Sequence, residues 1–262
     1  MRRKGFTLIE IIMVIVVFGI VASIGADIIA SMYENYLRTR AINRLQGQTE
    51  IVLEQVAKRL QYRIKDSVQA IDADGVNPNI ELPSANADYE IIEWISISNE
   101  SFLGSGATPG WSGFIDMISP ETDATARTLK TPGSELNTTS NTIKALTYGE
   151  ISLDGTGSTT RKPALIFKGK KDYNISKYYN ASTDNYTLIV ERDGAANDRF
   201  YINPSDDNVT DNEIYEQYYL SHTAYAIVPI GSPSDFNLTL FYNYQPWEGQ
   251  DYTQGKQAVL VE

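Results

Sequence analysis

Two hydrophobic patterns divide the chain. From Phe6 to Ala26 apolar residues follow one another almost without a break, interrupted by the single carboxylate of Glu10. A helix rises about 1.5 Å per residue and about 20 apolar residues span a bilayer core, so this run is long enough to cross a membrane. Further on, apolar or small residues recur at Ile42, Leu45, Thr49, Val52, Val56, Leu60 and Ile64. Spacings of three and four draw one stripe down a helix. Arg44, Gln46, Glu50, Glu54, Lys58 and Arg59 occupy its other faces. No proline precedes Pro78, so nothing obliges a kink. The pattern predicts one helix from Phe6 to about Asp66, roughly 90 Å long, with its stripe packed as a core face on a sheet.

From about Asp72 the texture changes to short runs rich in Ile, Val, Thr, Tyr and Phe, separated by Gly, Pro, Asn, Asp and Ser. Such runs read as strands and turns. The expected strands are Tyr89–Ile97, Gly113–Ile118, Ile143–Ser152, Ala164–Lys168, Tyr186–Glu191, Arg199–Ile202, Glu213–Val228 and Asn237–Tyr244. Alternation from Leu238 to Tyr244 predicts a half-buried antiparallel strand. Glu213–Val228 is too long for one ordinary strand, which predicts a bend or hairpin near Leu220–Thr223. The Thr/Ser/Asn-rich stretch Ser119–Asn141 reads as a long surface loop. The expected fold class is α+β, a long N-terminal helix on an antiparallel β-rich globular head.

The start of the chain carries the most specific signal. Arg2, Arg3 and Lys4 precede Gly5, and the apolar run follows. Cations on the N-terminal side leave Met1 in the cytoplasm and send the rest outward. A secretory signal peptide fits badly, because its small residues close the apolar region rather than open it. The run Arg3-Lys4-Gly5-Phe6-Thr7-Leu8-Ile9-Glu10 resembles the class III leader of type IV prepilins and type II secretion pseudopilins. That resemblance implies cleavage by a prepilin peptidase between Gly5 and Phe6, N-methylation of Phe6, and a docking role in fibre assembly for Glu10. A charge inside a membrane span costs about 2.5–3.5 kcal/mol on insertion scales and marks a partner. The natural partner is the amine of Phe6 on a neighbouring subunit. The competing reading is a plain signal anchor whose Glu10 reaches headgroup water.

The same resemblance divides the chain into a leader at 1–5, a transmembrane half-helix at 6–26, an amphipathic half-helix at 27–67 and a periplasmic head at 68–262. It places the protein in the bacterial inner membrane, single-pass, with other pilins or pseudopilins as partners. The closest types are the J-type minor pseudopilin and the W-type minor pilin, in which a Leu-rich strand follows an aromatic strand and a proline-containing turn. Here Leu238–Tyr244 and Gln245-Pro246-Trp247 stand in those places. Gln257–Glu262 begins like a strand and stops inside it, so the sequence is expected to be a truncated record. Many major pilins carry a proline where this chain has Asp27. Gly19 with Ser23, and Ala22 with Ala26, form small-xxx-small spacings that let helices approach closely.

Composition narrows the partners. The chain has 262 residues and a formal net charge of -11. Without the three leader cations, 22 basic residues become 19 against 33 acids, a side-chain balance of −14. So acidic a head argues against nucleic acid, whose binding is driven by cations on phosphates. There are no cysteines, which excludes disulfides, Cys-based metal sites and Cys nucleophiles. Many major pilins close a C-terminal loop with a disulfide, and this chain departs from them there.

Few residues suggest chemistry. His222 is the only histidine, and no G-x-S-x-G elbow accompanies it, so a structural histidine and no enzymatic activity are expected. No cofactor is expected either, although two oxygen-rich runs could suit calcium. They are Asp72-x-Asp74-Gly75 and the cluster Asp206, Asp207, Asn208, Asp211 and Glu213. Neither matches the EF-hand template, and the alternative is a solvated acidic turn. Asn174, Asn208 and Asn237 each follow an aspartate by two residues and precede Ser or Thr by two, resembling the acceptor pattern of bacterial N-glycosylation. Tyrosines, 17 in all, include the pairs Tyr178-Tyr179 and Tyr218-Tyr219, suited to a contact surface or to a β-rich core.

Overall fold

The computed structural model of the protein describes residues 5, 7–104, 106–154, 160–169, 174–179, 186–203, 214–232 and 235–261. The chain divides into two compact units, Met1–Glu54 and Gln55–Glu262. The first belongs almost wholly to α1 (Leu8–Leu60), a helix of 53 residues. This helix is long and apolar enough to cross a membrane. Its apolar side chains stay uncovered well past the expected span, and Ile42 and Leu45, read from the pattern as core positions, are exposed. The stripe is packed on the sheet at its far end, where Val56 and Leu60 lie against Trp94, Ile227 and Leu240. The helix also stops at Leu60 rather than Asp66. There the backbone turns to a strand partner: Ile64 N–H donates to the Ile95 carbonyl at 2.9 Å, and Tyr62 carbonyl accepts from Ile97 at 2.8 Å. Tertiary pairing outcompetes the last helical turns.

The head is built from β1 (Gln69–Ile71), β2 (Ile80–Glu81), β3 (Ile91–Ser96), β4 (Thr128–Lys130), β5 (Ala164–Phe167), β6 (Thr187–Arg192), β7 (Arg199–Ile202), β8 (Tyr218–Ser221), β9 (Thr223–Ser232), β10 (Asp235–Tyr244) and β11 (Lys256–Val261). Short helices α2 (Asn99–Leu103), α3 (Leu136–Leu146) and α4 (Ser176–Tyr179) lie between them. One sheet has the order β11-β10-β9-β3-β1-β2 and the other β4-β7-β6-β5-β8, and every paired strand is antiparallel. The architecture is therefore α+β, with a long N-terminal apolar helix followed by an antiparallel head of the pilin-like kind.

Strand alternation distributes side chains between three cores. Trp94 of β3, Ile227 of β9 and Leu240 of β10 face the end of α1. Their neighbours Ile95, Ala226 and Phe241 face the second sheet, where Ile166 and Trp247 meet them. The far side of the second sheet packs Leu165, Val190 and Phe200 against Leu136 and Ile143 of α3. Leu238–Tyr244 is thus not half-buried, because its strand lies inside the sheet with a layer on each face. Asn243, at φ 61, forms a bulge between Tyr242 and Tyr244. The extra residue returns Tyr244 to the same core as Phe241. Of the tyrosine pairs, Tyr178 and Tyr218 are core residues.

The long run before Val228 bends where expected. His222 separates β8, which pairs with β5 in one sheet, from β9, which pairs with β3 and β10 in the other. Three other expectations fail. Gly113–Ile118 makes only one bridge, Phe114 to Gln217, before the Asp116 carboxylate accepts from Ile118 N–H at 3.0 Å and turns the chain. Ile143–Ser152 is the end of α3 and a turn, and the presumed loop Ser119–Asn141 contains β4 and the start of α3. Helix α3 buries Thr139 and Ser140 beside Leu136 and Ile143, so its inner face is half polar.

Glu93 and His222 are among the titratable groups buried in the head. Glu93 on β3 accepts from Tyr244 Oη at 2.7 Å and from Gln69 Nε2. Burial pushes its carboxyl up to about 7. His222 shares its Nδ1 with Ser98 Oγ at 2.8 Å, and burial pushes the ring down to about 4. Folded Glu93 holds its proton more tightly than in the unfolded chain, so its contribution is present at low pH and lost as pH rises through about 7. His222 acts oppositely, its contribution fading as pH falls below about 6.5. The urea midpoint, followed by fluorescence of Trp94, Trp111 and Trp247, is predicted to decline between about pH 6 and pH 8. Glu93→Gln is predicted to remove that decline, and a variant profile parallel to the parent would refute the assignment.

Candidate processing and assembly site

The site lies at the start of α1, where a helix leaves its first backbone N–H groups without internal partners. Thr7 stands just before the first helical residue, Leu8, and Glu10 is the third. The Glu10 carboxylate accepts from the Thr7 N–H at 2.9 Å and from the Thr7 hydroxyl at 2.9 Å. This is half of a capping box, in which an acid three positions into the helix reaches back to the residue that precedes it. Thr7-x-x-Glu10 is a capping signature legible in the sequence, masked by the charge of Glu10, which points first to a partner on another chain. Gly5 is exposed and lies outside the helix, with open space around the place a Cβ would occupy. Phe6 and the three leader cations fall outside the described residues.

Beyond Glu10 the next charged residue is Asp27. Between them the side chains of Ile11, Val14, Phe18 and Val21 are all exposed. Apolar surface of this extent calls for lipid or neighbouring helices to cover it. Glu10 is therefore the one acidic side chain in the apolar stretch, and its two bonds to Thr7 occupy a single carboxylate oxygen, Oε2. The other oxygen has acceptor capacity for a second donor.

The remaining candidates are scattered. Asp206, Asp207, Asn208, Asp211 and Glu213 lie outside the described residues. Asp72 closes a turn: Oδ1 accepts from Asp74 N–H at 2.9 Å, and Oδ2 accepts from the backbone and side chain of Asn77 at 2.9 and 2.8 Å. The Asn77 N–H is the main cause that holds this carboxyl below its ordinary value. Among the described residues no group of three or more His, Asp or Glu gathers in a form that could hold a metal. His222 is a buried joint between the sheets, its carbonyl accepting from Gln245 Nε2 at 2.9 Å. Asn174 and Asn237 are exposed, and Asn208 lies outside the described residues.

Residues 1–26 match the family model of the prokaryotic N-terminal methylation motif. No curated protein and no solved structure matches the chain. The motif supports a type IV pilin-like family, with processing by prepilin peptidase and assembly with other pilins as its general consequences. Together with the one apolar N-terminal helix, it is consistent with single-pass anchoring in the inner membrane.

The cap itself is testable in the uncleaved precursor in detergent micelles. Losing a capping side chain costs about 1 kcal/mol, roughly a fivefold change in opening. Glu10→Ala is predicted to speed amide exchange at Thr7 by that factor in an NMR measurement, leaving Val14 unchanged. Equal exchange in parent and variant would show that the carboxylate does not cap the helix.

Proposed function

We propose that the protein is a minor pilin-like structural subunit of a type II secretion pseudopilus, nearest to the J type, with a W-type minor pilin of a type IV pilus as the neighbouring reading. The observation that carries this is the leader motif followed by a lone carboxylate in the first turn of a helix whose N-terminal apolar stretch is exposed. Prepilin peptidase cuts between Gly5 and Phe6, Phe6 is N-methylated, and the new amine becomes a cation at the membrane end of the helix. Glu10 then gains a donor on a neighbouring subunit, and its free lone pairs suit that contact.

Polymerisation is non-covalent in this account and needs no cofactor or catalytic group. Leu45, Ile51 and Leu53 extend exposed apolar surface along α1 beyond the membrane stretch, which favours packing against other helices. The absence of cysteine and the size of the head favour a minor subunit over a major one. The periplasm is the natural compartment for that head under the charge rule for short basic leaders.

Glu10→Gln and Glu10→Ala are predicted to insert and to be cut between Gly5 and Phe6, yet to be missing from sheared fibres, judged by immunoblot of fibre and membrane fractions. Incorporation of either variant at the parent level would remove the assembly role of the carboxylate. A parent protein that is never found in any fibre would favour instead a single-pass exported protein with a plain anchor.

A further inference from the structure

Among the described residues four asparagines stand two places before Ser or Thr with no proline between: Asn99, Asn137, Asn174 and Asn237. N-x-Ser/Thr is the acceptor sequence of N-linked glycosylation, and a transferase must reach the amide and the hydroxyl together. In three of the four the hydroxyl is out of reach. Asn99-Glu100-Ser101 and Asn137-Thr138-Thr139 lie in α2 and α3, where residues two apart do not face each other. Ser101 and Thr139 are fully buried. Asn237-Leu238-Thr239 runs extended in β10, between β9 and β11, and Thr239 is buried there.

Asn174-Ile175-Ser176 is built differently. Asn174 and Ser176 are both exposed, while Ile175 between them is buried. Asn174 Oδ1 accepts from the Ser176 hydroxyl at 2.7 Å and from the Ser176 N–H at 3.1 Å, which closes an Asx turn. Amide and hydroxyl are thereby held side by side on the surface. The turn is anchored from the core side. The Asn174 carbonyl accepts from Lys177 N–H at 3.1 Å, Ile175 and Tyr178 pack in the core with Tyr186, and the Tyr179 hydroxyl donates to the Ser67 carbonyl. Among the described residues no group accepts from Asn174 Nδ2.

We propose that Asn174 is an N-glycosylation acceptor whose sugar donor is a lipid-linked glycosyl pyrophosphate. The proposal rests on the export of the head in the reading above, and not on its entry into a fibre. An amide nitrogen is a weak nucleophile, because resonance spreads its lone pair onto the oxygen. Two donors on Asn174 Oδ1 stabilise the negative charge that grows there as Nδ2 gives up a proton. A bond then forms between Nδ2 and the anomeric carbon of the sugar, and the bond from that carbon to the pyrophosphate oxygen breaks. The lipid pyrophosphate leaves with the electron pair, and the Nδ2 proton passes to a base of the transferase. The folded head presents this acceptor without opening, whereas the other three would require a helix or a strand to unfold.

Trypsin releases Asn174 in the peptide 172–177, between Lys171 and Lys177. The full chain is purified from its own cells, and tandem mass spectrometry reads that peptide together with those that carry Asn99, Asn137 and Asn237. A glycan is expected on Asn174 and on none of the other three. Asn174→Gln and Ser176→Ala are expected to abolish it and Ser176→Thr to retain it, all with native tryptophan fluorescence. A bare Asn174 in the parent overturns the assignment, as does equal occupancy of Asn237 or survival of the glycan in Ser176→Ala. The N-terminal peptide of the same digest separates this from the fibre reading. A start at Phe6 with bare Asn174 sinks the acceptor alone, and a start at Met1 with glycosylated Asn174 sinks the fibre reading alone.

Discussion

A carboxylate at the start of an apolar helix is the constraint from which the rest follows. A charge at the centre of a membrane span costs about 2.5–3.5 kcal/mol on insertion scales, and Glu10 stands in the first turn of the apolar helix. The fold offsets part of that cost locally, because Glu10 accepts two hydrogen bonds from Thr7 at the free end of α1. The same contact completes the helix terminus, so one acid serves both the helix and its own solvation. What the cap leaves over is acceptor capacity on the other carboxylate oxygen. The apolar side chains Ile11, Val14, Phe18 and Val21 are exposed, and surface of that kind calls for lipid or other helices to cover it.

The head answers a different problem, which is how to bury apolar residues on both faces of a sheet without disulfides. It does so by passing one run of chain from the second sheet to the first at His222. Polar groups mark the joints. His222 links to Ser98, Glu93 to Tyr244 and Gln69, and Lys162 lies 3.5 Å from Glu191 with both side chains buried. Buried groups of this kind are tolerated when their partners are in place. They also make the head sensitive to pH in opposite senses at Glu93 and His222.

Much of this was legible in the residues, for identifiable reasons. The apolar run after Gly5 could be read because nothing but a membrane or a helical bundle accommodates it. The bend near His222 could be read because the run was too long for one strand. Helix α3 could not, because Thr139 and Ser140 take buried positions that a hydrophobic pattern leaves blank. The length of α1 was overestimated because strand pairing by Tyr62 and Ile64 captures backbone groups that would have extended it. Glu93 sits in phase with Ile91 and Ile95 on the inner face of β3, and only the structure reveals the Tyr244 hydroxyl that receives it. At the site, Gly5, Phe6 and Glu10 stood out by motif, whereas Thr7 required attention to helix capping.

The central claim is that this chain is made to be cut, and that the cut end is what its acid awaits. Mass spectrometry of the N-terminal peptide, from protein purified out of cells containing prepilin peptidase, tests it most directly. The account predicts a peptide that begins at Phe6 and carries one methyl group on its amine. A peptide that begins at Met1, or at any residue other than Phe6, would contradict it.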